Sequence, residues 1–241
     1  MDSLIQVRDL RYAYPDGTAA LNGVNFSLAS GETVAVLGAN GSGKTTFLLH
    51  LLGLVEGEGA IEVCGKPVAK ENLSFIRQKI GVLFQDSDDQ LFMPTVEEDV
   101  AFGPLNMGLD AGEVERRVSH SLDLVGMRER APRAPYHLSA GEKRRVALAG
   151  VLAMEPEIIV LDEPATFLDP PSRSALISIL RSVAQAKIIV THDLELARAL
   201  ATRAVFFEKG KIAADGDLED IIGRFAWETS SNGDGRTTPA T

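Results

Sequence analysis

The chain has 241 residues, 45% hydrophobic and 24% charged, enough to bury a full core as one large domain or as a core with a small subdomain. Its 24 Lys and Arg against 34 Asp and Glu give a net charge of −10, which argues against a nucleic-acid surface spread over the whole molecule. The single cysteine, Cys64, leaves no disulfide framework and no cysteine-rich metal site, and the longest apolar runs, 47–55 and 147–154, fall far short of the roughly 20 residues that cross a bilayer.

The first residues, MDSLIQVRDL, lack the basic flank leading into an apolar stretch that a secretory signal requires, so a cytoplasmic setting is expected. Residues 4–36 alternate in the manner of strands around the turn YPDGT. ETVAVLG (32–38) reads as a buried strand feeding a loop, and TTFLLHLLGLV takes up helical spacing. GAIEVCGKPV (59–68) reads as a hairpin. The stretch from 86 to 135 is richer in Asp, Glu, Arg and Pro and contains one helical piece, AGEVERRVSHSLDLVGM, so it is taken as part of a helical insert over about 86–155. Beyond it the pattern alternates: helix 141–154, strand 157–163, helix 171–185, strand 187–193, helix 194–201, then a closing hairpin at 205–217. Apolar strands alternating with helices predict a parallel sheet covered on both faces. Residues 1–227 read as one domain, and 228–241, ETSSNGDGRTTPAT, has the composition of a disordered tail.

Chemistry concentrates in a few places. Gly38-x-x-x-x-Gly43-Lys44-Thr45 matches the P-loop pattern and stands between a predicted strand and a predicted helix. Glycines let the backbone wrap phosphate oxygens, Lys44 neutralises β/γ charge, and Thr45 offers a hydroxyl to Mg²⁺. IIVLDEP (158–164) carries Asp162 and Glu163 to a strand's carboxyl end, where open parallel sheets bind ligands. Asp162 there suits a Mg²⁺ ligand and Glu163 suits the residue that orients or deprotonates water. His192 ends KIIVTHD, near the expected γ-phosphate, although a lone histidine is more often structural. Gln85, after KIGVLF, could accept from a Mg²⁺-bound water. Ser139 and Gly141, in YHLSAGEKRRVALAG, open a helix and so form a second phosphate-seeking turn, 95 residues after Lys44.

The P-loop, Gln85, LSAGE (138–142), IIVLDEP, LDP (168–170) and His192 stand in the order found in the ATP-binding cassette (ABC) ATPases, which the chain resembles over about residues 3–222. The resemblance implies an α/β fold: a P-loop NTPase (RecA-like) core with a mainly parallel sheet, an N-terminal antiparallel β subdomain, and the helical insert bearing LSAGE. It implies ATP and Mg²⁺ as cofactors, and two nucleotide domains paired head to tail. Each ATP would lie between one subunit's P-loop and Ser139, Gly141 and Glu142 of the other. By position, Tyr14 looks like the aromatic that stacks on adenine, with Tyr12 the fallback. Gly38, Ala39, Asn40, Gly41, Ser42, Gly43, Lys44, Thr45 and Thr46 would contact the nucleotide, and Thr45, Gln85 and Asp162 would serve Mg²⁺. Glu163, His192, Gln85 and Lys44 would be catalytic, and Asp169 resembles the residue linking the two sites across the dimer. Ala140 and Glu142 depart from the family's common Leu-Ser-Gly-Gly-Gln, and Phe167 stands where a small residue is usual.

Residues 83–109, LFQDSDDQLFMPTVEEDVAFGPLNMGL, together with 136–164, resemble the ATPase subunits of energy-coupling-factor importers of the cobalt/nickel type. Vitamin importers such as those for biotin, and a non-transport soluble ABC ATPase, are the alternatives. The resemblance implies a second ATPase subunit, a transmembrane coupling subunit, a substrate-binding membrane subunit, no nucleic acid, and a peripheral position on the cytoplasmic face of the membrane. Asp86, Asp88 and Asp89 would meet basic residues on the coupling helices. A chromosome-structure ATPase would need a long heptad-bearing insert, a translation factor two cassettes, and an exporter fused membrane helices; none of these is present in the sequence.

Overall fold

The computed structural model describes residues 3–225; the tail expected at 228–241 lies outside them. β1 (Ser3–Ala13), β2 (Ala19–Ala29), β4 (Glu58–Val63) and β5 (Lys66–Pro67) form an antiparallel sheet in the order β2-β1-β4-β5. Their residues alternate between buried and exposed, as strands with one wet face do.

The second sheet runs β10-β9-β3-β8-β7-β6, where β3 is Thr33–Gly38, β6 Ile80–Leu83, β7 Ile158–Asp162, β8 Ala186–Val190, β9 Arg203–Glu208 and β10 Lys211–Asp217. All its neighbours pair in parallel except β10 with β9. β3 and β8 are continuously apolar but for Thr33 and the stretched-out Lys187, because both faces of the sheet are covered. Period 2 divides them. Val34, Val36, Ile158, Val160, Ile188 and Val190 face α1 (Lys44–Leu51) and the antiparallel sheet through Phe47, Leu51, Ile5 and Leu28. Ile159, Leu161 and Ile189 face the helical side, where α3 (Val96–Asn106), α4 (Ala111–Leu124), α5 (Ala140–Ala153) and α6 (Pro170–Ser182) contribute Val100, Leu122, Leu148 and Leu176. A smaller cluster joins Ala35 and Leu37 to α7 (Leu194–Leu200) and α8 (Leu218–Phe225).

The expected architecture is therefore the observed one, with local corrections. The insert holds α3 as well as α4; Gly103 and Pro104 disguise α3, yet Thr95 and Glu98 close a capping box at its start. α2 (Leu73–Lys79) and α8 were not expected at all. α6 stops at Ser182 rather than 185. There Ser182 Oγ donates to Ile179 O, and the buried Lys187 ammonium takes up the carbonyls of Val183 and Gln185 at 2.8 Å each. β8 spans 186–190 rather than 187–193, because Asp193 N turns back to Thr191 Oγ1 at 3.0 Å and Asp193 caps α7. His192 thus sits in the loop after the strand.

Gly81, in edge strand β6, lies so close to α5 that a Cβ would stand 2.5 Å from Val151 Cγ1 and 3.1 Å from Pro156 Cγ. Gly81→Val is expected to destabilise the chain by about 2 kcal/mol through overpacking, measured by denaturant unfolding.

Candidate functional site

The P-loop is built where β3 ends and α1 begins. Gly38 (φ 140°) presses against Phe207 O, so closely that a Cβ would collide with it, and Gly43 (φ 111°) would bring a Cβ to 2.7 Å from Ala20 O. Only glycine fits either position. The loop 38–43, with Ala39, Asn40 and Gly41 exposed, therefore curls over the start of α1, whose first turn presents Lys44 and Thr45. Lys44 Nζ donates to Gly38 O at 2.7 Å and to Ala39 O at 2.9 Å. Burial pushes the Lys44 ammonium below its ordinary range, and the carboxylates of Glu163 and Asp162 oppose that shift. Ser42 Oγ is buried without a hydrogen-bond partner.

Thr46, in the same first turn, joins its Oγ1 to the Tyr14 hydroxyl at 2.9 Å. Tyr14 stands edge-on to Tyr12 with ring centroids 5.2 Å apart, and Tyr12 in turn rests on buried His50 at 4.8 Å. Tyr12 packs against the core while Tyr14 stays 40% exposed, so of the two it is Tyr14 that offers a ring face beside the loop.

Across the sheet edge, Asp162 ends β7 and Glu163 follows it in the left-handed region (φ 45°). That unusual backbone is fixed by Glu163 N donating to Val190 O at 2.8 Å. The Glu163 carboxylate lies 2.8 Å from His192 Nδ1 through Oε1, and its Oε2 accepts from Thr191 Oγ1 at 3.3 Å. Asp162 is pushed up from its ordinary value by burial and by the neighbouring Glu163 charge, with Lys44 opposing. Lys44, Asp162, Glu163 and His192 thus stand at the carboxyl ends of the central strands β3, β7 and β8.

Gln85 is exposed after β6 and borders a cleft of about 490 Å³ that also reaches Asp162 and Ala140. Its loop is held by two residues the sequence reading passed over. The Arg144 guanidinium, only 4% exposed, donates to the carbonyls of Phe84 and Gln85, and Gln90 pins Phe84 N and Val82 O at 3.0 Å each. Arg173 was likewise missed: it grips Asp193 through both carboxylate oxygens, at 2.8 and 3.0 Å, and so ties α6 to the loop carrying His192. A buried arginine in an otherwise small and apolar helix face was the available signal for Arg144. Arg173 gave none.

Ser139 caps α5 as half of a capping box: Glu142 N donates to its Oγ at 3.3 Å, and its own N donates to Glu142 Oε2 at 2.9 Å. Glu142 Oε1 also accepts from Arg130 Nε at 3.1 Å, and these bonds hold its carboxyl below the usual range. Gly141 is buried under Ser172 Oγ, with no room for a Cβ. Among the described residues Ser139 makes no hydrogen bond to the P-loop. Asp169 caps α6 through Ser172 N at 2.7 Å. Of the acidic stretch, Asp86, Asp88 and Asp89 are all exposed, and Asp88 pairs through Oδ1 with Lys143.

The donor set fits a nucleoside triphosphate. Ser42 offers a buried, unpartnered hydroxyl, Gly38, Gly41 and Gly43 at positive φ curl the loop, and Lys44 adds the charge. It fits Mg²⁺ as well, since that ion needs only one or two protein groups besides phosphate and water, and the Thr45 hydroxyl and Asp162 carboxylate are oxygen donors that would suit it.

A model of the ABC transporter family matches residues 21–166. The energy-coupling factor transporter ATP-binding protein EcfA of Methanothermobacter thermautotrophicus is 51% identical over 225 residues, covering 91% of this chain and 72% of that protein. CbiO1 of Clostridium perfringens, part of the ABC transporter complex CbiONQ, superposes with a TM-score of 0.85 at 35% identity, covering 92% of both chains. The cassette MJ0796, solved as a dimer in a post-hydrolysis state with ADP and Pi, gives 0.77 at 27% identity, covering 89% of this chain and 98% of that one. With a complete phosphate loop, an acidic pair at the adjoining strand end and these relatives, the chain belongs to the ABC transporter family and is one of its ATPases.

Proposed function

We propose that this ATPase is the energy-supplying subunit of an energy-coupling-factor importer for cobalt or nickel ion, working as a pair of ATPase subunits on the cytoplasmic face of the membrane. The observation that carries the reading is the presence, in one chain, of one complete P-loop and one N-capped Ser139 turn that do not engage each other. Two phosphate-binding turns that share no hydrogen bond within one chain are satisfied by two chains arranged head to tail. Each copy's Lys44 loop then holds a triphosphate whose γ end meets Ser139 and Gly141 of the other copy, and ATP acts as the glue.

Within each composite site the residues divide the work. Tyr14 stacks on the base, Gly38 to Gly43 and Thr46 wrap the phosphates, and Lys44 neutralises β/γ charge. Thr45, Asp162 and Gln85 would hold Mg²⁺, which would supply further neutralisation of phosphate charge. Glu163 orients the attacking water and receives its proton, while His192, fixed 2.8 Å away, keeps that carboxylate aligned and hydrogen-bonds the γ-phosphate. Asp169, capping α6 beside Gly141, links one site to the other.

The membrane side of the reading rests on a groove of about 490 Å³ bordered by Leu54, Phe84, Phe92, Phe102 and Met154, with Asp89 at its rim. Phe92 and Phe102 stand 61% and 43% exposed, an apolar surface that suits an amphipathic helix of a transmembrane coupling subunit with basic residues for Asp86 and Asp89. The importer type is supported by the likeness to EcfA and CbiO1, and the metal ion by the resemblance over residues 83–109.

Glu163→Gln is expected to keep ATP-driven dimerisation while lowering turnover at least about a hundredfold, read by light scattering and phosphate release. Hydrolysis at the parental rate would remove Glu163 from its role. Lys44→Ala should weaken ATP binding about tenfold or more, measured by calorimetry. Phe92→Asp should abolish co-purification with the membrane subunits while nucleotide binding persists. In vesicles holding the assembled transporter, uptake of labelled Co²⁺ or Ni²⁺ on addition of ATP is expected; uptake of biotin instead would replace the metal assignment.

A further inference from the structure

The loop from β7 to α6 holds two non-glycine residues in the left-handed region, Glu163 at φ 45° and Phe167 at φ 64°. A bulky side chain is strained there, and such strain persists only where the surroundings impose it. For Glu163 the return is visible: its carboxylate reaches His192 and Thr191. For Phe167 no side-chain contact among the described residues gives such a return. Its ring is 89% exposed, more than Tyr136 at 76% or Phe92 at 61%, and has no aromatic neighbour among the described residues. Glycine would relax the backbone, and any polar residue would spare the apolar surface.

The ring is nonetheless presented from a fixed base. Thr166 N donates to Glu163 O and Leu168 N to Ala165 O, both at 3.2 Å, and Leu168 packs into the core. Asp169 caps α6, and Ser172 in that first turn abuts Gly141 at the start of α5. Phe167 is thereby held beside the Ser139 turn. It forms part of the wall between two clefts, one reaching Gln85, Asp162 and Ala140, the other reaching Glu163 and His192.

We propose that Phe167 is an aromatic anchor of the closed ATPase dimer, its ring buried against a second copy of this chain when the two close over ATP. This rests on the head-to-tail reading above. The second copy is the occupant because Phe167 adjoins the turn that must face another copy's nucleotide. Phe92 and Phe102, by contrast, border the separate groove assigned to the membrane subunit. MJ0796 itself forms a dimer. In a two-fold pair each ring is buried once per copy, so its loss counts twice.

The test uses the full chain in the Glu163→Gln background, comparing Phe167 with Phe167→Gly and Phe167→Leu. Without nucleotide, Phe167→Gly should raise Tm by about 1–3 °C, because glycine removes the strain. With ATP and Mg²⁺, the protein concentration for half-maximal dimerisation should rise at least about tenfold for Phe167→Gly and less for Phe167→Leu. A stabilised monomer that dimerises poorly cannot come from misfolding. Unchanged dimerisation of Phe167→Gly overturns the proposal, as does a lower Tm, which would give the ring a role within the monomer. Normal dimerisation with lost assembly onto the membrane subunits would assign the ring to that partner instead. Failure of the Phe167 parent to dimerise with ATP would sink the head-to-tail reading, and the anchor with it.

Discussion

One rung of the parallel sheet decides where chemistry occurs. Val190 in β8 pairs with Val36 of β3 on one side and with Asp162 of β7 on the other. Counting outward from that rung, Gly38 is two residues past Val36, His192 two past Val190, and Glu163 one past Asp162. Glu163 N even donates to Val190 O, extending the ladder by one bond before the chain turns away. The P-loop, the acidic pair and the histidine are therefore brought to one level by backbone pairing, and the Glu163–His192 and Glu163–Thr191 contacts complete the alignment. A slip of one residue in either pairing would turn Asp162 to the opposite face of the sheet, away from Lys44. The register itself is enforced by burial, because Val34, Val36, Val160 and Ile188 must face α1 while Ile159 and Ile189 face the helical side.

Around that rung, charge is arranged to be incomplete. Lys44 is drawn out of water and its ammonium is satisfied for now by two carbonyls of its own loop. Asp162 and Glu163 stand near enough to favour its charge, yet Asp162 is itself pushed toward its neutral form by burial and by Glu163. A cation beside Asp162 would relieve that pressure, and polyphosphate beside Lys44 would replace weak carbonyl acceptors with full negative charge. A metal and a polyphosphate bound together would lower the electrostatic cost of the site. Ser42, with its buried hydroxyl lacking any partner, belongs to the same unfinished network.

The sequence made the parallel strands legible because burial on both faces writes them as unbroken apolar runs, and it made the P-loop legible because glycine spacing there answers a steric demand. Gly38 and Gly43 are fixed by Phe207 O and Ala20 O, contacts from distant strands that the spacing reflects without naming. The helical insert was harder. α3 carries Gly103 and Pro104, which weigh against helix locally, and tertiary packing of Val96 and Val100 outweighs them. The ends of α6 and β8 were misplaced because their stops come from nearby polar side chains, Lys187 and Thr191, that take up backbone groups and leave no periodic signal. Arg144 and Arg173, which brace the Gln85 and His192 loops, act across 59 and 20 residues of separation and leave no periodic trace.

Glu142 shows how a departure from the family pattern is absorbed by its surroundings. A carboxylate in place of an amide, at the start of a helix proposed to face polyphosphate, would repel that ligand if its charge pointed outward. In the structure both of its oxygens are already committed: Oε2 accepts from Ser139 N and Oε1 from Arg130 Nε. The carboxylate therefore completes the helix cap, where negative charge complements the positive end of α5, and a cation sits against its outer side. Its depressed titration is the thermodynamic sign of that arrangement, since the same bonds that hold the proton off also hold the side chain folded back.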